Sequence, residues 1–362
     1  MEKWAAIIIG LTVLVLLENI VSEKQKKYVG LIITVIIWFL TGFRSEIGWD
    51  YDSYKNNFFT VEFDIDNMAV EPGYAITAEI LRNLGFDYQM IFVVFATINY
   101  VFIWKGITFF RTIDKNIQYG FASYLFFVAP IIGMLNGFSV LRQVAAVSIL
   151  FWGSQYIYKS RFIKYCLCVI LATIFHYTAI LMLPVYFLVR KNYNVSIYLV
   201  AYLLAIYFNQ SGYLISMISN FIPLDTKYMA YFSGDDGGKL GLLFYFFIAI
   251  VIVALIVSFK DNISLNMIIL GTIATITFID ILPLLRIRLY MISMIILFYQ
   301  QLINIFNKKL KINTIVLFII PLIIFFFHDL YIADYNHNYK ALVFPYQSAG
   351  NIDYEFNFKL LK

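Results

Sequence analysis

The sequence predicts an all-α fold: a polytopic integral membrane protein of about 11–12 transmembrane helices, including one broken or re-entrant pair, with a short extracytoplasmic helix. Three observations predict it. Of 362 residues, 62% are hydrophobic and only 14% charged, more apolar material than a soluble core of this size buries. Apolar runs of about 17 to 25 residues recur from end to end, each the length that crosses a ~30 Å hydrocarbon layer as a helix. Basic residues sit in short loops between the runs rather than on one face, so the net charge of +5 speaks for topology and against nucleic acid as a partner. No linker divides the chain, and residues 1–362 read as a single transmembrane domain.

The runs fall at 4–20, 28–43, 88–110, 117–135, 138–158, 163–189, 193–208, 241–259, 263–283, 287–304 and 312–330. The first lacks a basic leader and a small-residue cleavage site, and further runs follow it, so it reads as a retained helix. Lys24, Lys26 and Lys27 follow the first run, Arg111 and Lys115 the third, and Lys159, Arg161 and Lys164 the fifth; such clusters resist translocation and mark the cytoplasmic side. Strict alternation would then put Arg190 and Lys191 outside, and Lys308, Lys309 and Lys311 as well. That conflict disappears if the run 163–189 goes out and comes back.

Each half of that run then has about 13 residues, or ~20 Å, too short for an ordinary span. The turning point falls near "TIFHYTA" and carries His176 to the outer part, with Pro184 available to kink the return arm. One long tilted helix, with the charge bias violated after it, is the alternative. In the out-and-back arrangement the loops 44–87 and 209–240, the stretch 136–142, the region 284–288 and the tail 331–362 all face outward. Cys166 and Cys168 lie two apart in an apolar stretch and read as packing residues, and no metal-ligand spacing appears.

Loop 44–87 holds nine acids (Glu46, Asp50, Asp52, Glu62, Asp64, Asp66, Glu71, Glu79, Asp87) against three bases. Its stretch "EPGYAITAEILRNLG" opens with proline and closes with glycine, the signature of a short helix that lies along the surface. The exit stretch "GFRSEIGWDYDSY" is compatible with a solvated loop carrying a snorkelling arginine. Further cations nevertheless stand at outer membrane ends, where they are normally scarce: Arg142 in "LRQ", Lys227 in "DTKYMAYF", and Arg286 and Arg288 in "LLRIRLY". Guanidinium groups bind phosphate oxygens through forked, charge-assisted hydrogen bonds, so this set beside a bilayer points to a phosphorylated lipid. His176 is either a satisfied interior histidine or part of that site.

"FRSEIGWDYDSY", then "EPGY", "LRQ" opening a helix, "LATIFHYTAIL", "KYMAYF", "RIRLY" and the late "FPY" form an ordered series. In that order they resemble the EpsG-like branch of the Wzy-type bacterial polysaccharide polymerases. The sequence departs at Trp49, where the family pattern has a small residue, and the "RIRLY" match is loose. The resemblance implies a glycosyltransferase in the bacterial cytoplasmic membrane, with its active site on the extracytoplasmic side. Its partners would be an undecaprenyl-diphosphate-linked oligosaccharide as donor, a second such lipid as acceptor, the lipid bilayer and a chain-length regulator.

Under that implication Arg44, Arg142, Arg286, Arg288 and Lys227 are the expected diphosphate-binding set, acting without a metal or other cofactor. Asp50, Glu71 and His176 are the candidate catalytic bases, in no fixed order, and Trp49, Tyr51 and Tyr54 the candidate sugar platforms. A transporter of the same lipid-linked glycan and a glycan ligase are the rival readings. Transport needs ionisable groups along the depth of the bilayer, and the inner halves of the spans are nearly uncharged.

Overall fold

The computed structural model describes residues 2–48, 50–64, 70–128, 138, 140–214, 217, 261–278, 281–310, 315, 319–324 and 326–327, and among them every regular element is a helix. The runs 241–259 and most of 312–330, the loop 209–240 beyond its first residues, and the tail 331–362 lie outside the described residues, as do Trp49 and Lys227. Helix α1 (Glu2–Ile20) turns at Ser22 into α2 (Glu23–Gly42). The Ser22 backbone N–H and hydroxyl both donate to Gln25 Oε1, at 3.0 and 2.7 Å, a capping box that starts the second helix.

Then come α3 (Tyr51–Thr60), α4 (Pro72–Asn83), α5 (Gln89–Ile113), α6 (Tyr119–Val128), α7 (Leu141–Gly153) and α8 (Gln155–Tyr158). After α9 (Phe162–Phe175) a 3-10 turn (Tyr177–Met182) leads to α10 (Val185–Leu188) and α11 (Val195–Ser211). The set closes with α12 (Asn262–Thr277), α13 (Leu282–Leu285), α14 (Arg288–Ile292) and α15 (Ile295–Leu310).

Among the described residues two stretches are long and apolar enough to cross a membrane, Gln89–Ile113 and Arg288–Lys308, and six shorter apolar helices accompany them. The molecule is thus a helical bundle with the character of a membrane protein. Helix α5 packs on α2 and α7, α2 on α1 and α6, and α7 on α9, around a core that includes Trp4, Ile37, Phe121 and Phe151. At one end of α1 the buried Glu18 carboxylate accepts the Gly120 and Phe121 N–H groups at 2.9 and 3.0 Å. A negative group there satisfies the orphan donors at the start of α6 and suits its dipole.

The run 163–189 does turn back on itself. Helix α9 stops at His176, whose backbone is extended (φ −156°, ψ 117°), and the chain returns beside it. The Tyr165 hydroxyl donates to the Met182 carbonyl at 2.9 Å, the Tyr165 and Tyr186 rings lie 5.5 Å apart, and Arg190 donates to the Ser160 hydroxyl at 2.7 Å. The two feet of the hairpin are therefore adjacent. The return arm is a 3-10 turn broken before Pro184, which opens α10.

A second, smaller core gathers Tyr51, Tyr54, Phe58, Tyr74, Ala78 and Leu81 from α3 and α4 with Phe92, Phe95 and Leu141 from the ends of α5 and α7. Helix α4 starts as its sequence predicts, with Pro72 in its first turn after Glu71. Arg82 fastens it to the end of α3, donating to the Phe58 carbonyl and, at 2.6 Å, to the Val61 carbonyl. This cap carries the candidate site.

Candidate functional site

Three residues that lie far apart in the sequence meet at the tip of the hairpin. Glu71, the N-cap of α4, pairs through Oε2 with the Arg142 guanidinium and through Oε1 with His176 Nδ1 at 2.7 Å. A carboxylate only accepts, so Nδ1 is the protonated nitrogen in that hydrogen bond. The other ring nitrogen, Nε2, is buried and has no hydrogen-bond partner among the described residues. In the neutral form of the ring Nε2 is then the acceptor nitrogen, and in the imidazolium both nitrogens donate.

Local chemistry explains the meeting. His176 is the first residue after α9, so its side chain leaves the helix end instead of following the helix face. Gly73 lets α4 approach that end: a Cβ at position 73 would stand 2.9 Å from the Ile174 carbonyl oxygen and 2.8 Å from the Phe175 ring. Arg142, second residue of α7, projects from the first turn and overlies the Tyr54 ring at 5.8 Å. Thr178, two residues past the histidine, is braced by the Tyr290 hydroxyl at 3.0 Å.

Burial alone would raise the Glu71 carboxyl, but the His176 hydrogen bond and the Arg142 and His176 charges outweigh it and hold the group below the usual glutamate range. Asp50, just before α3, shifts the opposite way: burial raises it, and the nearby Arg286 and Arg142 offset only part of that rise. Asp50 and Arg286 therefore belong to the same electrostatic neighbourhood as Arg142. The Gln143 side chain donates to the Arg286 carbonyl at 2.7 Å, tying the turn that bears this second arginine to α7. Gln143 escaped the sequence reading, and its only signal was its place beside Arg142 in "LRQ".

Three expected assignments change. Arg44 has no exposed surface: it donates to the carbonyls of Thr41 (2.6 Å), Ile47 (3.1 Å) and Phe138 (3.1 Å), and its guanidinium lies 4.7 Å from both the Phe92 and Phe138 rings. It is a strut that ties the loop before Asp50 to residue 138, not a surface cation. Gly48 serves the same junction at φ +108°, where a Cβ would sit 2.4 Å from the Phe138 carbonyl oxygen.

Tyr51 and Tyr54 also lose the sugar-platform role, since both are buried. Tyr51 stacks on Phe92 at 4.6 Å, and Tyr54 packs against Tyr74 beneath Arg142. Arg288 is partly buried, and no carboxylate among the described residues reaches it. Its place in the diphosphate-binding set stays an expectation.

Chemically, the arrangement offers a fixed carboxylate, an oriented imidazole and the Arg142 guanidinium at one point, with Arg286 near enough to act on Asp50. Arg142 carries more N–H donors than Glu71 uses. Against known proteins, the profile described as the EpsG family matches residues 27–348. No curated protein and no solved structure matches the chain.

Proposed function

From the premise that the chain belongs to the EpsG family, we propose that it is a polysaccharide polymerase working on lipid-linked glycans at the outer face of the cytoplasmic membrane. The observation that carries this reading is the Glu71–His176 pair beside Arg142, with Nε2 left unpartnered. In the reaction an acceptor sugar hydroxyl attacks the anomeric carbon of the donor glycan. The bond from that carbon to the diphosphate oxygen breaks, and the hydroxyl proton passes to His176 Nε2. Glu71 keeps the ring in the right tautomer and stabilises the imidazolium as it forms, a positioning task.

The departing polyprenyl diphosphate gains negative charge as the bond lengthens. Arg142 and Arg286 face that charge with donors already in place, the form of stabilisation that lowers a barrier most. Arg44 contributes by holding the loop that presents Asp50. Asp50 adds its charge to the local field and is the second candidate to take the acceptor hydroxyl's proton. Charge neutralisation by guanidinium lets the transfer proceed without a metal, as proposed for this site.

The test is reconstitution. Purified protein in liposomes, given lipid-linked repeat units on the side that carries loop 44–87, is expected to yield a ladder of lengthening glycans. Movement of intact lipid without a ladder would make the protein a transporter, and transfer to a different acceptor a ligase. Arg142→Ala is expected to lower chain growth about 10³-fold at unchanged protein level.

A further inference from the structure

The charged cluster borders an apolar surface with no role in the chemistry above. On α4, Ile76, Ile80 and Leu84 are 38%, 53% and 66% exposed. They stand three, seven and eleven positions beyond Gly73, hence on the helix face that Gly73 turns toward Ile174 and Phe175. Ile174 is itself 38% exposed, and Tyr177 and Ile180, just past His176, are 45% and 43% exposed. The Tyr177 side chain lies near enough to Glu71 and Arg142 to feel both charges. An apolar strip thus runs along α4, ~16 Å from Gly73 to Leu84, and ends beside Glu71, the N-cap of α4, whose carboxylate pairs with Arg142.

We propose that this strip, from Leu84 to Tyr177, seats the polyprenyl chain of the donor while Arg142 holds its diphosphate; the inference rests on the polymerase reading of the same site. The ligand it fits is an amphiphile with an anionic head and a long hydrocarbon tail, and the strip supplies the two halves in that order. The head is fixed where the anomeric bond must break, so the tail has to leave from that point over apolar ground. Apolar residues are exposed on other helices as well, and it is the continuity with a charged site that sets this strip apart. Bulk phospholipid would cover the same residues but would not depend on Arg142.

The test uses the full chain in nanodiscs of phosphatidylethanolamine and phosphatidylglycerol, with a photoreactive benzoylphenylalanine at Ile76 or Ile80 and radiolabelled polyprenyl diphosphate as the probe. Ile163, at the foot of α9 and 75% exposed, is the control position. Labelling is expected at Ile76 and Ile80, suppressed by unlabelled polyprenyl diphosphate and weakened about tenfold by Arg142→Ala, with Ile163 at background. Equal labelling at Ile163, or labelling that competitor leaves unchanged, would overturn the assignment and leave bulk lipid as the occupant. A competed cross-link in a protein that builds no ladder would keep the lipid seat and remove the polymerase. A ladder without a competed cross-link would do the reverse.

Discussion

At the residue scale Arg44, Arg142, Arg286 and Arg288 divide by what surrounds them. Arg142 pairs with a carboxylate and lies over Tyr54, whereas Arg44 spends its donors on main-chain carbonyls. Their alanine variants should therefore fail differently. Arg142→Ala is expected to leave the folded protein in the membrane and stop chain growth. Arg44→Ala strands buried carbonyls and is expected to cost at least about 3 kcal/mol, lowering the yield and the thermal midpoint before activity is even assayed. Comparable melting of the two variants would refute the division.

The acids give a signed pH dependence. Glu71 lies below the ordinary ~4.3, so its pairing adds stability above that value and loses it as pH falls through the lowered folded value. Asp50 lies above the ordinary ~3.9, so it disfavours the folded site once ionised, and that cost disappears as pH falls through the raised value. Rate against pH is expected to show the Asp50 transition at higher pH than that of Glu71. Asp50→Asn should erase the upper one alone; a profile that this variant leaves unchanged refutes the assignment. Glu71, Arg142 and His176 were legible because each breaks an apolar context. The burial of Tyr51 and Tyr54 was legible too: with Phe58 they form an i, i+3, i+7 stripe, the mark of a packed helix face. The role of Arg44 was not, since an arginine at a membrane exit reads alike whether it meets phosphate or orphan carbonyls.

At the element scale the hairpin of α9 and its 3-10 return arm decides the geometry. Its reversal follows from lysines and arginines that loop on the same side, and Ser160 and Arg190 are indeed neighbours. The 3-10 form of the return arm has no comparable signal, because "YTAILM" suits an α-helix as well. Cysteines placed at Lys159 and Lys191, in a background without Cys166 and Cys168, are expected to react with an impermeant reagent from the same side of sealed vesicles. Reaction from opposite sides would reject the arrangement. Helix α4 sets the other half of the site through the close approach of Gly73. Gly73→Ala would drive α4 from the Ile174 carbonyl and stretch the Glu71–His176 contact, and a shift of ~1 Å is worth up to ~10²-fold in rate. The expected loss appears in kcat with protein level unchanged, and Gly73→Ala at full rate would show that the approach is dispensable.

At the scale of the whole molecule, a broad apolar core among the long helices supports a smaller cap core that carries the proposed site. Phe92 belongs to that cap and faces both Arg44 and Tyr51. Phe92→Ala is expected to cost about 3–5 kcal/mol and to loosen the cap as a unit, seen as proteolysis near α3 before the helices of the main core are cut. Simultaneous cleavage of both regions would show that they unfold together. Helical character and the surface helix were readable from hydropathy and from "EPGY", while the second core was not, because its members come from four elements whose order says nothing of their meeting. The strut of Arg44 carries one more consequence. These acceptors are peptide oxygens, which every amino acid possesses, so the anchor itself asks nothing of the side chains at 41, 47 and 138; those are held by their own packing, Ile47 in the core and the Phe138 ring against the guanidinium. A forked donor of that reach belongs to arginine alone, and a library randomised at codon 44 should return monotony.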